Sequence, residues 1–374
     1  MKKSVLCIVL AVILLLTGCS GQEAAKPTPP ATDVDYNDYV VWSGAYACTT
    51  QGVYFLNHNT LYFLDESQKY VPLCSKPQCA HQSADCSAYV DATSIYAVDD
   101  HLYYMSHSSD GPWQLYQMSL TGTERQAVND IAVLKDLDSV RTSYRIAGEH
   151  FVLEATTSTA ESAVRTIYCA SLEHNAPLTP IFTDLEPDLA VPTLMHTTRD
   201  WVFAIAQDAE LNCYMVGYEF ATGKSHKLFQ MDPMYTGNVT LGKDGAFVWS
   251  VMNEGIYQMR LGEDPSLLCT LQDWEQGAAI ADDQYFYLSN MAAAKRSDTI
   301  DAAQTGVSIY SLDGKPVAFL PASDIAGVLS YAFSTPQYVY FYDFDALSSI
   351  PVCYLDKSEI GTDALCWHTV SEWS

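Results

Sequence analysis

Basic residues are scarce in this chain: 19 Lys and Arg stand against 45 Asp and Glu, for a net charge of −26 over 374 residues. That balance argues against nucleic acid, whose binders need a basic stripe to displace counterions. It argues equally against a polybasic grip on anionic lipid. A cationic partner, a metal ion or plain solubility remain compatible with it. Long apolar runs are missing as well, apart from Val5 to Leu16, whose twelve residues fall short of the roughly 20 that a membrane-spanning helix needs. No segment keeps a helical period over any comparable length. The GxSxG and HExxH signatures and the EF-hand loop are absent. Gly217 to Ser225 ends in Gly-Lys-Ser, but its glycine spacing is one residue too long for a phosphate loop.

What the N-terminus does contain is an address. Met1-Lys2-Lys3, the apolar run, and Leu16-Thr17-Gly18-Cys19 follow in the order of a secretory signal. The tetrapeptide resembles a bacterial lipobox, in which the cysteine thiol is alkylated with diacylglycerol and the chain is cut after the small residue, here Gly18. Residues 1–18 are therefore expected to be a lipoprotein signal peptide and Cys19 the lipidated residue, its two acyl chains giving the two-signal anchoring that one chain cannot. Residues 19–38 are small, polar and proline-rich, a flexible tether. Within it Asp33, Asp35 and Asp38 have a loosely calcium-like spacing without the Gly turn or the closing Glu of a calcium loop. The expected location is the extracytoplasmic face of a bacterial membrane, held by lipid.

Residues 39–374 repeat. A polar turn followed by aromatic or β-branched residues recurs at Val53, Leu102, Phe151, Trp201, Ala246, Tyr285 and Tyr338, at steps of 39 to 53 residues. A second series trails it in the same order: Leu61-Tyr62, Leu115-Tyr116, Ile167-Tyr168, Gly217-Tyr218, Ile256-Tyr257, Ile309-Tyr310 and Cys353-Tyr354. Each unit reads as four antiparallel strands, and units of this kind bury both faces only when stacked radially. The expected fold is all-β: a single β-propeller of seven four-stranded blades, with six or eight as alternatives. The Tyr and Trp residues suit its half-buried pleated faces.

The least ordinary stretch is CxxxxCxHxxxxC, with Cys74, Cys79, His81 and Cys86. Three thiols and an imidazole could wrap a zinc ion tetrahedrally. In an extracytoplasmic compartment thiols also pair with one another, so a disulfide within the cluster, with Cys48 as a fourth partner, is the first expectation. Zinc is the second and reduced thiols the third. Cys353 and Cys366 are expected near enough to pair across strands, while Cys169, Cys213 and Cys269 read as small buried hydrophobes.

The lipobox at Cys19, the LYFLD and IYSLDG hairpins and the segment from Leu73 to Tyr89 together resemble a group of uncharacterised propeller lipoproteins of Gram-positive anaerobes. The resemblance implies fold and address and carries no activity. The face bearing the crossings between blades would collect Trp113, the loop from Asn290 to Gly306 with Lys295 and Arg296, and an acidic series: Asp136, Asp138, Asp184, Glu186, Asp188, Asp232, Asp273, Glu275 and Asp324, beside Trp274. Such a rim could take a cationic peptide, a divalent cation (calcium or zinc) or a sugar stacked on tryptophan, and it could equally be a solvated surface. The expected role is a non-catalytic module binding an extracellular ligand or envelope protein. Its rivals are a glycan-cleaving propeller using two of those carboxylates and a structural or sensory envelope subunit.

Overall fold

The computed structural model describes residues 44–373 apart from 77, 108–111, 135–139, 159–162, 191, 232–238, 242–245, 252–253, 261–262, 297–299 and 326. The leader, the tether, Cys19, Asp33, Asp35, Asp38, Asp136, Asp138 and Asp232 lie outside the described residues, as does the side chain of Asp324. Within them the chain forms seven consecutive antiparallel sheets, one per sequence unit. The fold is a seven-bladed β-propeller. Blade 1 consists of Tyr46–Thr49, Gly52–Asn57, Thr60–Leu64 and Lys69–Pro72. Blades 2 to 7 open at Tyr96, Val140, Thr193, Thr240, Ala279 and Leu329. First strands of successive blades neighbour one another, so they surround the axis and fourth strands form the rim.

Both repeated series have a structural cause. The first opens the second strand of each blade, and the second lies on the third strand. There Leu61, Leu115, Ile167, Ile256, Ile309 and Cys353 are all at most 3% exposed, while the Tyr that follows points to the opposite face of the pleat. In blades 2, 5 and 6 the register slips at that same pair, at Leu115/Tyr116, Ile256/Tyr257 and Ile309/Tyr310. The bulge there bends the outer hairpin and increases its twist.

Hydrophobic burial is divided into seven cores, each between one blade and the next. No blade owns a core, which is why single blades could not fold alone. The seventh core joins the ends of the chain: Tyr46, Phe55 and Cys48 of blade 1 pack against Phe333 and Tyr340 of blade 7 and against Val370. Beyond it Ser371–Glu372 pairs in parallel with Lys69–Pro72 as a fifth strand of blade 1. The Trp373 amide donates to Tyr70 O at 3.0 Å, and Lys69 Nζ sits 4.8 Å from the Trp373 ring centroid. The C-terminal segment thus latches the ring, covering an edge that would otherwise be open.

Because strands alternate in direction, one face carries the turns between second and third strands together with the crossings from each blade to the next. The cysteine segment is the first of these crossings, between Pro72 and Tyr96.

Candidate metal centre

The crossing starts as a continuation of the fourth strand of blade 1. The Leu73 amide donates to Leu61 O at 2.9 Å, and further on the Leu61 amide donates to Ala88 O at 2.7 Å. Between these two ties the backbone must double back, and it does so through two non-glycine residues in the left-handed region, Gln78 at φ 58° and His81 at φ 54°. Such conformations are costly for residues with a Cβ and persist where surrounding structure holds them.

Several groups hold them. Arg125, from the outer hairpin of blade 2, donates to Tyr89 O at 2.6 Å, to Cys86 O at 3.3 Å and to Ser87 O. Ser87 Oγ donates to Leu73 O at 2.6 Å, and Lys76 Nζ to Asp85 O at 2.6 Å. Gly122, in the blade 2 turn beneath, is at φ +76°, and a Cβ there would meet Leu73 Cδ2 at 2.9 Å. The segment is therefore seated tightly on blades 1 and 2.

The result is convergence. The Sγ atoms of Cys74, Cys79 and Cys86 and one ring nitrogen of His81 all lie within 4.8 Å of one another, and His81 Nδ1 is 3.2 Å from Cys86 Sγ. A tetrahedral zinc with Zn–S near 2.3 Å and Zn–N near 2.05 Å has S···S edges of about 3.8 Å and S···N edges of about 3.6 Å. The His81–Cys86 separation is already within about half an ångström of that S···N edge. Three soft thiolates and an imidazole suit zinc and not calcium, which takes hard oxygen donors.

Electrostatics at the cluster are divided. Burial works against the Cys74 thiolate, but the Lys76 amide and side-chain hydrogen bonds from Cys86, Cys79 and Ser87 outweigh it and hold this thiol below its ordinary range. Burial pushes the Cys86 thiol up. The surroundings thus favour the thiolate at Cys74 and disfavour it at Cys86.

No disulfide is formed among the described residues. All nine described cysteines are free thiols. Cys48 cannot be a fourth partner, because it is buried in the core between blades 1 and 7, where burial pushes its thiol up to about 12. Cys353 is likewise buried within its strand, and Cys366 faces His368 instead, with Sγ 3.7 Å from Nε2. Cys213 is fully buried as expected, whereas Cys169 and Cys269 are half-buried.

The described members of the acidic series do not assemble into one cleft. Asp184 accepts from the Ser225 amide, and Glu186 accepts from Lys227 Nζ at 3.2 Å. Both partners belong to the outermost strand of blade 4, so these carboxylates lie along its flank. Asp188 and Asp273 are exposed. Glu275 is only 4% exposed and is engaged by Tyr310 Oη at 2.5 Å and by the Gln272 amide at 2.9 Å. Trp274 sits edge-on to Phe319, centroids 5.3 Å apart, and both line a groove of about 420 Å³ between the outer strands of blades 5 and 6. Trp113 opens the third strand of blade 2, away from Trp274. Lys295 is ion-paired with Asp345, joining the loops of blades 6 and 7. Among the described residues no pair of these carboxylates faces another across an open site, as an acid and base must.

Arg125 was not singled out by the sequence reading. It lies in a hairpin like that of every other blade, and nothing local to it signals the three carbonyls it gathers.

No protein family and no curated protein matches the chain. Among solved structures it is similar to a puromycin hydrolase, seen as a mutant in complex with PGG at a TM-score of 0.55 and 9% identity, over 92% of this chain and 56% of that one. A second structure titled puromycin hydrolase gives a TM-score of 0.53 at 11% identity, over 91% of this chain and 55% of that one. The chain spans just over half the length of each, and at such identities the likeness shows the propeller fold alone.

Proposed function

We propose that this protein is a lipid-anchored, extracytoplasmic binding propeller, shaped by a zinc ion held by Cys74, Cys79, His81 and Cys86. The observation that carries the reading is the convergence of three thiols and an imidazole in a loop whose backbone is strained to bring them together. With four protein donors such an ion has no open position, so its role is structural. It fixes the crossing from blade 1 to blade 2 and with it one sector of the face that bears the crossings. The leader sequence supports the anchor at Cys19. The excess of acidic residues supports a cationic partner, either an extracellular ligand or an envelope protein. The dispersal of the described members of the acidic series favours binding over glycan cleavage.

Metal analysis of the mature protein, with Cys79→Ser beside it, tests the centre. Zinc near one equivalent that falls with Cys79→Ser supports the reading; wild-type thiols that alkylate freely in the folded protein would overturn it. Cys19→Ala tests the anchor and should release the protein into the medium. Saturable retention of a partner without turnover of a glycan panel is the expected result for the binding role.

A further inference from the structure

A second set of donors lies at the rim of blade 7. Its third strand, Pro351–Asp356, runs into a tight turn, Lys357–Glu359, and the chain returns through Cys366 to the short fourth strand His368–Thr369. Cys366 and His368 are two residues apart in extended chain, so their side chains share a face. Glu359 Oε2 lies 2.8 Å from His368 Nε2, Cys366 Sγ lies 3.7 Å from the same nitrogen, and donor atoms of all three residues fall within 4.8 Å of one another.

The frame around them is firm. Asp356 caps the turn by accepting from the Ser358 amide at 2.8 Å. Lys357, at the start of the turn, is buried and paired with Asp282 at 2.7 Å and Asp283 at 3.0 Å. The His368 ring stacks on Tyr354, with centroids 5.0 Å apart and planes 22° apart. The turn therefore fixes the backbone that presents Glu359, and Tyr354 fixes the plane of the imidazole.

We propose that Glu359, Cys366 and His368 form a second divalent-metal site, for zinc or a similar borderline ion, with a fourth position open to an exchangeable ligand. One thiolate, one imidazole and one carboxylate are each ordinary zinc donors, and three protein ligands leave the fourth corner of the tetrahedron for water or a small donor. A bound ion calls for an S···N edge of about 3.6 Å and an N···O edge of about 3.3 Å. The first is met, and the second needs the Glu359 carboxylate to swing out by about half an ångström from its present hydrogen bond to His368. Cys366 is exposed, so the open corner is accessible to solvent. His368 lies two residues before Val370 and three before the latch strand, so the ion would also tie the returning C-terminal segment to the body of blade 7. It does not depend on the centre at Cys74, Cys79, His81 and Cys86, and the two fail separately.

Cobalt(II) reads both sites in the metal-stripped mature protein, because tetrahedral thiolate complexes of this ion are coloured. The expected result is two equivalents bound: one with a strong three-thiolate charge-transfer band, one with a weaker single-thiolate band that shifts on adding imidazole. Cys366→Ser should remove the weak band and leave the strong one, and His368→Ala should do the same. Cys79→Ser should do the converse, so loss of the strong site alone leaves this proposal standing. Cys366 is exposed, so Cys366→Ser is expected to fold, with an unchanged circular dichroism spectrum as the check. A wild type without the weak single-thiolate band, or a weak band that survives both Cys366→Ser and His368→Ala, overturns the proposal.

Discussion

The two sulfur-bearing clusters of this propeller differ in where their donors come from. In the crossing between blades 1 and 2 all four are packed into thirteen residues, and the loop has to adopt two left-handed non-glycine conformations to aim them inward. At the rim of blade 7 only three donors meet: His368 on the short fourth strand, Cys366 two residues before it and Glu359 at the end of a capped turn. The first arrangement would leave no position free on an ion; the second would leave one. Each has a cation from outside the donor set behind it: Arg125 gathers carbonyls under the first, and Lys357 pins the turn beside the second. Four-donor and three-donor sets are thus products of local chain path, not of donor chemistry alone.

Lys357→Ala should give the largest change. It leaves Asp282, whose side chain is 0% exposed, without its cation, and breaking a buried pair in this way costs about 3–5 kcal/mol. Urea denaturation should show that loss, and the second ion should weaken while the first is retained. Cys79→Ser, measured with zinc present, should lose the ion-linked stability of the first cluster, about 4 kcal/mol if the wild type is a thousandfold above its dissociation constant. The same variant in chelator should differ little from wild type in chelator.

Acid offers a sharper separation, since protons compete with metal at both clusters. His196, on the first strand of blade 4, is held down to about 4 by burial and then by the charge of Arg145, and its Nε2 has no hydrogen-bond partner. A base depressed in the folded state is neutral in both states above pH 6.5. Between pH 6.5 and 4 the unfolded chain binds the extra proton, so stability falls as pH falls through that window, by up to about 3 kcal/mol. In the metal-free protein, His196→Gln should flatten that part of the melting profile. An unchanged slope would assign the acid sensitivity to other groups.

Arg125→Ala should cost roughly 1.5–3 kcal/mol, the scale of hydrogen bonds to a charged group. It should loosen the first ion only, seen as faster zinc loss to chelator. Cys366→Ser is expected to change stability in chelator by well under 1 kcal/mol, because surface substitutions of this kind seldom do more.

The blades were legible because two periodic series mark the same two strands in every unit: residues such as Val53 and Leu102 open the second, and residues such as Leu61 and Leu115 bury the third. The latch was not, since Ser371–Glu372 is too short to carry a strand pattern and gains its partner only when the ring closes. At the first cluster the donors could be read from their spacing, and the loop path adds that the three thiols and the imidazole point at one centre. Cys366-Trp-His368 held a comparable signal, obscured by the expected pairing with Cys353. Their third partner, Glu359, is one of many carboxylates in an acidic chain, and only the turn after Asp356 distinguishes it. The acidic rim dispersed for a related reason: charge pattern says nothing about which carboxylates are engaged, as Glu186 is with Lys227 and Glu275 with Tyr310.

The central claim is that Cys74, Cys79, His81 and Cys86 form a closed metal centre. Native mass spectrometry of the mature protein before and after mild chelation, with thiol alkylation in the folded state, tests it most directly. The account predicts a metal ion that survives mild chelation and protects three thiols until the protein is denatured. A metal-free native mass, with those three thiols alkylating at once, would contradict it.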